Sequence, residues 1–269
     1  MPGLAPDVVV LCYHAISATW PSDMAVRPDA LEHQAKVLLA RGYEPVTFHQ
    51  AVTAPPRKCF SITFDDGFRS VLEHGLPALE PLGVPATVFV SSAFADDPGQ
   101  PRRGAAIDRY LGGPHEHELY VMPWEELRSL VDHGWEIGSH TVHHPFLTAL
   151  DDEELAFELG ESRRRIADVL GRPCTTLAYP TGDHDARVAR FTAEAGYDAA
   201  CTLPSTFPRR PDPFMYPRIS VQRGDSLGEF RRKISRTARF MRTTHLAGPA
   251  RRAYLAVRDR SRSAPNRVS

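Results

Sequence analysis

Seven short, largely apolar and β-prone runs punctuate this chain, at Val8 to Tyr13, Cys59 to Phe64, Ala86 to Val90, Trp135 to Ser139, Thr175 to Tyr179, Ala199 to Leu203 and Ile219 to Val221. The segments between them read as helix and loop, and strands alternating with helices are the signature of parallel βα units. The clearest helix is predicted from Asp152 to Leu170. Asp151 and Glu154 form a capping box, Leu155, Leu159, Ile166 and Leu170 an apolar stripe, and Gly171 with Pro173 a stop. A last helix is expected over 227–241, with Leu227, Phe230, Ile234 and Met241 facing inward to close the fold. At 269 residues and 42% hydrophobic content the chain can bury one full core, and a single α/β barrel reaches this length. One main domain is expected to span 1–240. Residues 94–121, rich in Pro, Gly and charge, are expected to be an insertion at the barrel mouth, either a rim or a disordered loop.

Two motifs at strand ends carry chemistry. In Thr63-Phe64-Asp65-Asp66-Gly67, two carboxylates follow a strand that reads as buried. Such a pair is costly unless a cation sits between the two or one is protonated. Neighbouring strand residues face opposite ways, but a turn at Gly67 can re-aim one of them, so that one carboxylate holds a cation and the other serves as a base. A blander role is also open, with Asp65 or Asp66 capping a helix near Arg69.

The second motif is His140-Thr141-Val142-His143-His144-Pro145, directly after the strand Trp135 to Ser139. His140 and His144 leave the same strand end through a short turn. Two histidines and one carboxylate are a common donor set for an open catalytic zinc-type site, which leaves positions for water and substrate.

With these residues in view, the chain resembles the polysaccharide deacetylase family, the NodB-homology group of carbohydrate esterases, over roughly residues 8 to 235. Thr63 to Gly67 matches its first motif and His140 to His144 its second; Leu11 to His14, Gly134 to Ser139, Leu177 to Pro180 and Tyr216 to Ile219 add to the likeness. The resemblance implies an irregular seven-stranded (β/α) barrel. It implies a metal-dependent deacetylase hydrolysing N-acetyl groups of an N-acetylhexosamine-containing glycan or glycolipid. The metal would be one divalent ion, zinc first, with cobalt, nickel or iron also compatible, held by Asp66, His140 and His144. Asp65 would be the general base. The loop of Tyr179, Pro180 and Thr181 would line the substrate and give a backbone N–H to the oxyanion, although relatives usually carry an aromatic residue where this chain has Thr181. No late Leu-x-x-His motif supplies the acid, so the expectation falls on His14, as in the branch with an N-terminal Tyr-His, with His184 in reserve. Relatives tether the base with an arginine where this chain has Ala178, and Arg218 is the expected substitute. A silent glycan-binding or scaffold protein, or an O-acetyl esterase on the same fold, would also be compatible with the resemblance.

The remaining features bound the setting. Cys12, Cys59, Cys174 and Cys201 lie in or beside predicted strands and form no Cys-x-x-Cys pair, which reads as buried free thiols. The N-terminus lacks a basic region followed by a long apolar run, and no span reaches membrane-crossing length, so a cytoplasmic chain is expected. From Arg231 onward twelve Lys or Arg face one acid, Asp259, whereas residues 1–230 carry 20 basic and 32 acidic residues. Residues 241–269 therefore read as a basic, solvated tail, or else as a contact for anionic membrane or an acidic partner. Nucleic acid is not expected, because aromatics are sparse there. Gly224-Asp225-Ser226-Leu227 spells the tetrapeptide of a serine-esterase family but reads better as a helix cap, since no Asp-x-x-His follows it.

Overall fold

The computed structural model describes residues 6–203 and 212–241. Six strands follow one another round a parallel sheet: β1 (Asp7–Tyr13), β2 (Lys58–Phe64), β3 (Ala86–Val90), β4 (Glu136–Ser139), β5 (Thr176–Ala178) and β6 (Ala199–Thr202). The seventh stave is split in two. β7 (Tyr216–Pro217) pairs with β6, and β8 (Ile219–Ser220) pairs with β1, so the circuit closes across Arg218. Pro217 has no N–H to give a ladder, which suits a stave broken at this point. The irregular seven-stranded barrel expected from the sequence is present; β1 to β6 and β8 lie within about a residue of the expected runs, whereas β7 (Tyr216–Pro217) falls outside them.

Alternation along each strand builds two cores. The larger lies between barrel and helices and includes Leu11, Phe64, Val88, Leu159 and Leu177. The smaller fills the lumen with Val10, Phe89, Ala178, Ala199 and Cys201, plugged at the bottom by Phe48 of helix α1 (Phe48–Thr53). Gly138 is required in that lumen: a Cβ there would meet the Phe89 ring and Thr176 Oγ1 at 2.6 Å. All four cysteines are buried free thiols.

Helix α2 (Asp152–Leu170) starts at the capping box of Asp151 and Glu154 and ends at Gly171 in the left-handed region, as read from the sequence. Its buried face adds two polar residues, Glu158 and Ser162, to Leu155, Leu159 and Ile166. The single closing helix expected over 227–241 is instead two, α3 (Leu227–Lys233) and α4 (Arg236–Met241). Ser235 breaks it: its hydroxyl accepts from the Ala238 N–H and donates to the Arg232 carbonyl, the local bonding that draws serine out of helix interiors. Phe230 and Ile234 are buried as expected, but Leu227 is 37% exposed; Met241's side chain and the basic tail beyond it lie outside the described residues. Ser226 caps α3 with Glu229 in a capping box, so the serine of the Gly-Asp-Ser-Leu tetrapeptide is engaged as a cap. Among the described residues no helix is long and apolar enough to cross a membrane.

The 94–121 insertion is a folded rim. Ile107 and Leu119 pack with Trp20 and Phe68, a backbone bond from Arg102 to Leu119 closes the insertion on itself, and bonds from Arg69 to Tyr120 and from Met122 to Gly67 stitch its end to the mouth.

Candidate metal centre

At the end of β2 the Asp65 N–H still bonds the Tyr13 carbonyl of β1, and Asp66 (φ 70°) and Gly67 (φ 72°) then turn left-handed. Only glycine suits position 67, because a Cβ there would also press on Val90 Cγ1 at 3.0 Å. This turn separates the adjacent carboxylates. Asp65 meets Arg218, while Asp66 meets the histidines that leave β4. Neither is a helix cap: the helical stretch beyond them begins at Val71 and takes no side-chain cap. The histidines sit on a second strained turn, with Thr141 at φ 69° and His144 at φ 61°. Glu158 of α2 holds that turn by accepting from the Val142 and His143 N–H groups and from His143 Nδ1. The described non-glycine residues with left-handed φ are Asp66, Thr141, His144 and Thr181, and all four belong to the motif loops. Strain of this kind persists where the surroundings over-determine a functional conformation.

Asp66 Oδ1 lies 3.6 Å from His144 Nε2 and 3.8 Å from His140 Nε2. A tetrahedral zinc ion with legs near 2.0–2.1 Å needs donors about 3.3 Å apart, so these three atoms could hold a divalent ion after a small contraction. The tautomer is right as well. His140 Nδ1–H donates to the Ala178 carbonyl at 2.7 Å, which leaves Nε2 with its lone pair toward Asp66. Ala178 thus orients a histidine through its backbone carbonyl. Burial lowers the pKa of His140 and pushes that of His144 down to about 3, with His140 and Arg102 adding to the effect on His144, so both rings are neutral donors at physiological pH.

Each carboxylate has its own arginine. Arg218 is fully buried and grips Asp65 in a fork, Nη1 to Oδ1 at 2.6 Å and Nη2 to Oδ2 at 2.7 Å, with a further bond from Nη1 to Thr63 Oγ1. Burial raises the Asp65 pKa, but Arg218 and His140 outweigh it, and the carboxyl is held down at about 2. Asp66 is buried too, and Arg102, then the nearby histidines, bring its pKa well below the usual carboxylate range. Arg102 reaches Asp66 Oδ1 at 2.5 Å from the rim insertion. Nothing in the sequence marked Arg102, because its position depends on how a motif-free loop folds back over the mouth.

These values imply an acid-sensitive fold. A histidine protonates near 6.5 when unfolded, whereas folded His144 resists protonation down to about 3, so between those limits the unfolded chain binds more protons. Stability in the presence of a chelator should therefore fall as the pH drops below 6.5, by up to about 1.4 kcal/mol per pH unit from His144. Asp65 acts in a lower window: its contribution is complete above its unfolded pKa, near 3.9, and is lost as the pH falls through about 2. Urea unfolding from pH 7 to 4.5 should show a shallower slope for His144→Gln; equal slopes would contradict this assignment.

His14 follows β1 directly. One ring nitrogen lies within 4.8 Å of both an Asp65 oxygen and Cys12 Sγ. Cys12, His14 and Asp65 thus form a second donor cluster, but a poorer one for a metal: Arg218 takes both Asp65 oxygens, and burial pushes the Cys12 thiol pKa up, away from thiolate. The Pro180 loop forms another part of the mouth. Thr181 is exposed, with its backbone at φ 57°, whereas the Tyr179 ring is buried in the wall and its hydroxyl donates to the Phe214 carbonyl. His184 stacks on that ring at 5.1 Å and bonds the Gly182 carbonyl through Nδ1. The fold therefore brings Asp65, Asp66, His14, His140, His144 and Arg218 together and sets His184 against the wall.

The family described as polysaccharide deacetylase matches residues 53–200, more than half of the chain. Among curated proteins, YxkH of Bacillus subtilis (strain 168), named for the polysaccharide deacetylases, is 26% identical over 82% of this chain and 74% of its own length. The poly-beta-1,6-N-acetyl-D-glucosamine N-deacetylase of Escherichia coli (strain K12) is 25% identical over 78% of this chain, which spans only 36% of that protein. Among solved structures, the Streptococcus pyogenes deacetylase PplD aligns with a TM-score of 0.71 at 19% identity, over 85% of this chain and 98% of that one, a likeness of fold.

Proposed function

The chain belongs to the polysaccharide deacetylase family, and from that membership we propose that it is a metal-dependent hydrolase removing N-acetyl groups from an N-acetylhexosamine-containing glycan or glycolipid. The observation that carries this reading is the convergence of Asp66, His140 and His144 beside a second, ionised carboxylate, Asp65. Curated relatives named for chitin and for poly-N-acetylglucosamine support the substrate class.

An amide resists hydrolysis because its nitrogen donates into the carbonyl, so the oxygen must be polarised, a nucleophile supplied and the leaving amine protonated. A divalent ion on Asp66, His140 and His144 would supply Lewis acidity toward the acetyl oxygen and toward the attacking water. Asp65 would take the attacking water's proton; its carboxyl, held down at about 2, is a weak base, and a bound divalent ion would assist by bringing the pKa of that water down toward about 7. Arg218 keeps Asp65 ionised and aimed. The Thr181 N–H, on its strained turn, serves the oxyanion, a donor of a kind worth about 3–4 kcal/mol of barrier. Because the contact is made by backbone, it does not need the aromatic side chain usual at that position. His14 donates the proton to the amine.

The proton donor can be isolated by changing the leaving group. His14→Ala should cut acetate release from N-acetylglucosamine oligomers about a hundredfold or more, the scale of a lost general acid. It should spare an acetyl ester of a phenol, whose leaving group departs unprotonated, and leave metal content unchanged. Equal loss on both substrates would make His14 structural, and no loss on either would move the acid elsewhere, with His184 next in line. Acetate release and bound metal measured together on the wild-type protein test the main reading. Stoichiometric metal with no release from any N-acetylated oligomer or lipid-linked glycan would favour a silent binding protein.

A further inference from the structure

Arg102 sits where a divalent ion would feel it most. Its side chain, 8% exposed by residue, enters from the rim insertion and lies over the Phe94 ring at 4.9 Å. Nη1 donates to the Arg103 carbonyl, and Nη2 contacts Asp66 Oδ1, the same oxygen that faces His140 and His144. Nε is buried and has no partner among the described residues, so the Asp66 contact is the principal anchor of this charge. A guanidinium cannot shed its proton in a protein. Any cation taking Asp66 Oδ1 must therefore share that carboxylate with a permanent positive charge.

We propose that Arg102 is the positioning residue of Asp66, as Arg218 is of Asp65, and that its charge is a built-in brake on the metal affinity of the site. This rests on the reading of Asp66, His140 and His144 as the metal ligands. Two effects of Arg102 oppose each other. Its hydrogen bond fixes the ligand carboxylate, and outer-shell bonds of this sort raise metal affinity about 10–100-fold. Its charge works the other way, by repelling the ion directly and by neutralising Asp66 when no ion is bound, so that the free site has less to gain from a cation. At separations of a few ångströms inside a buried pocket the charge effect is the larger. A rim residue thereby links the fold of the insertion to how readily the centre loads.

Three substitutions separate charge from shape. Arg102→Gln keeps an N–H donor without charge, Arg102→Met removes both, and Arg102→Lys keeps the charge. Chelator competition with zinc or cobalt should give Gln and Met variants that bind at least about tenfold more tightly than the wild type, with Lys remaining within about threefold of it, because the brake is electrostatic. Thermal unfolding supplies a second readout. The Gln and Met variants should start with a lower Tm in chelator and gain more on metal addition than the wild type does. Unchanged or weaker metal binding in both would overturn the proposal, as would a Lys variant that binds as tightly as Gln. If Met does not fold, Gln and Lys decide the question. Equal affinities throughout would overturn this proposal alone, whereas no binding by the wild type or any variant would remove the metal reading with it.

Discussion

Asp65→Asn should keep its metal yet lose acetate release by about a hundredfold or more, the usual scale for a missing general base, whereas Asp66→Asn should lose the metal itself. The two residues are adjacent and both buried, so burial alone predicts no difference between them. Geometry predicts a large one. Asp65 has both oxygens on Arg218, while Asp66 turns at φ 70° to put Oδ1 within 3.8 Å of two imidazole nitrogens. An amide at 65 still accepts from Arg218 but cannot take a proton; an amide at 66 withdraws the only charged donor of the three. Metal content by elemental analysis beside turnover reads both effects. Equal metal loss in the two variants would mean that the roles are assigned wrongly.

Arg218→Met should destabilise the protein by about 3–5 kcal/mol, because it leaves Asp65 as an unpaired charge in the barrel lumen. Against the 5–15 kcal/mol typical of a folded domain this is a large fraction. The loss belongs mostly to the stranded carboxylate, so Asp65→Asn placed on top of Arg218→Met should restore part of it. Urea unfolding of the two single variants and the double gives the coupling as a cycle. Strict additivity would show that Arg218 supports the barrel by packing over Phe89, 5.5 Å from its ring, and not by holding the base.

The strands, helix α2 and both motif ends were legible in the sequence because each rests on local chemistry: β-prone apolar runs, the capping box of Asp151 and Glu154, and Gly67 and Gly171 where the backbone turns left-handed. The barrel and its chemistry came from the motif resemblance, which also pointed to His14, Asp65, Asp66, His140, His144 and the Pro180 loop. The substitution of Arg218 for the missing arginine at Ala178 was an expectation that needed the split seventh stave to bring residues 153 positions apart into a fork. The end of helix α3 is not legible in the sequence, because apolar spacing continues through Ser235 while the bonds that break the helix are made by one hydroxyl.

What the sequence determined by itself is the set of donors and the strand ends that carry them, since residue type and backbone period are written locally. What only the tertiary structure decided is which charge meets which. The alanine at 178 turns His140 through its carbonyl, Glu158 holds the histidine turn from a helix surface, and Arg102 reaches Asp66 from a loop with no motif of its own. Such pairings depend on chain closure over tens of residues and on the cost of leaving a buried carboxylate alone, and neither is visible in any local run of sequence.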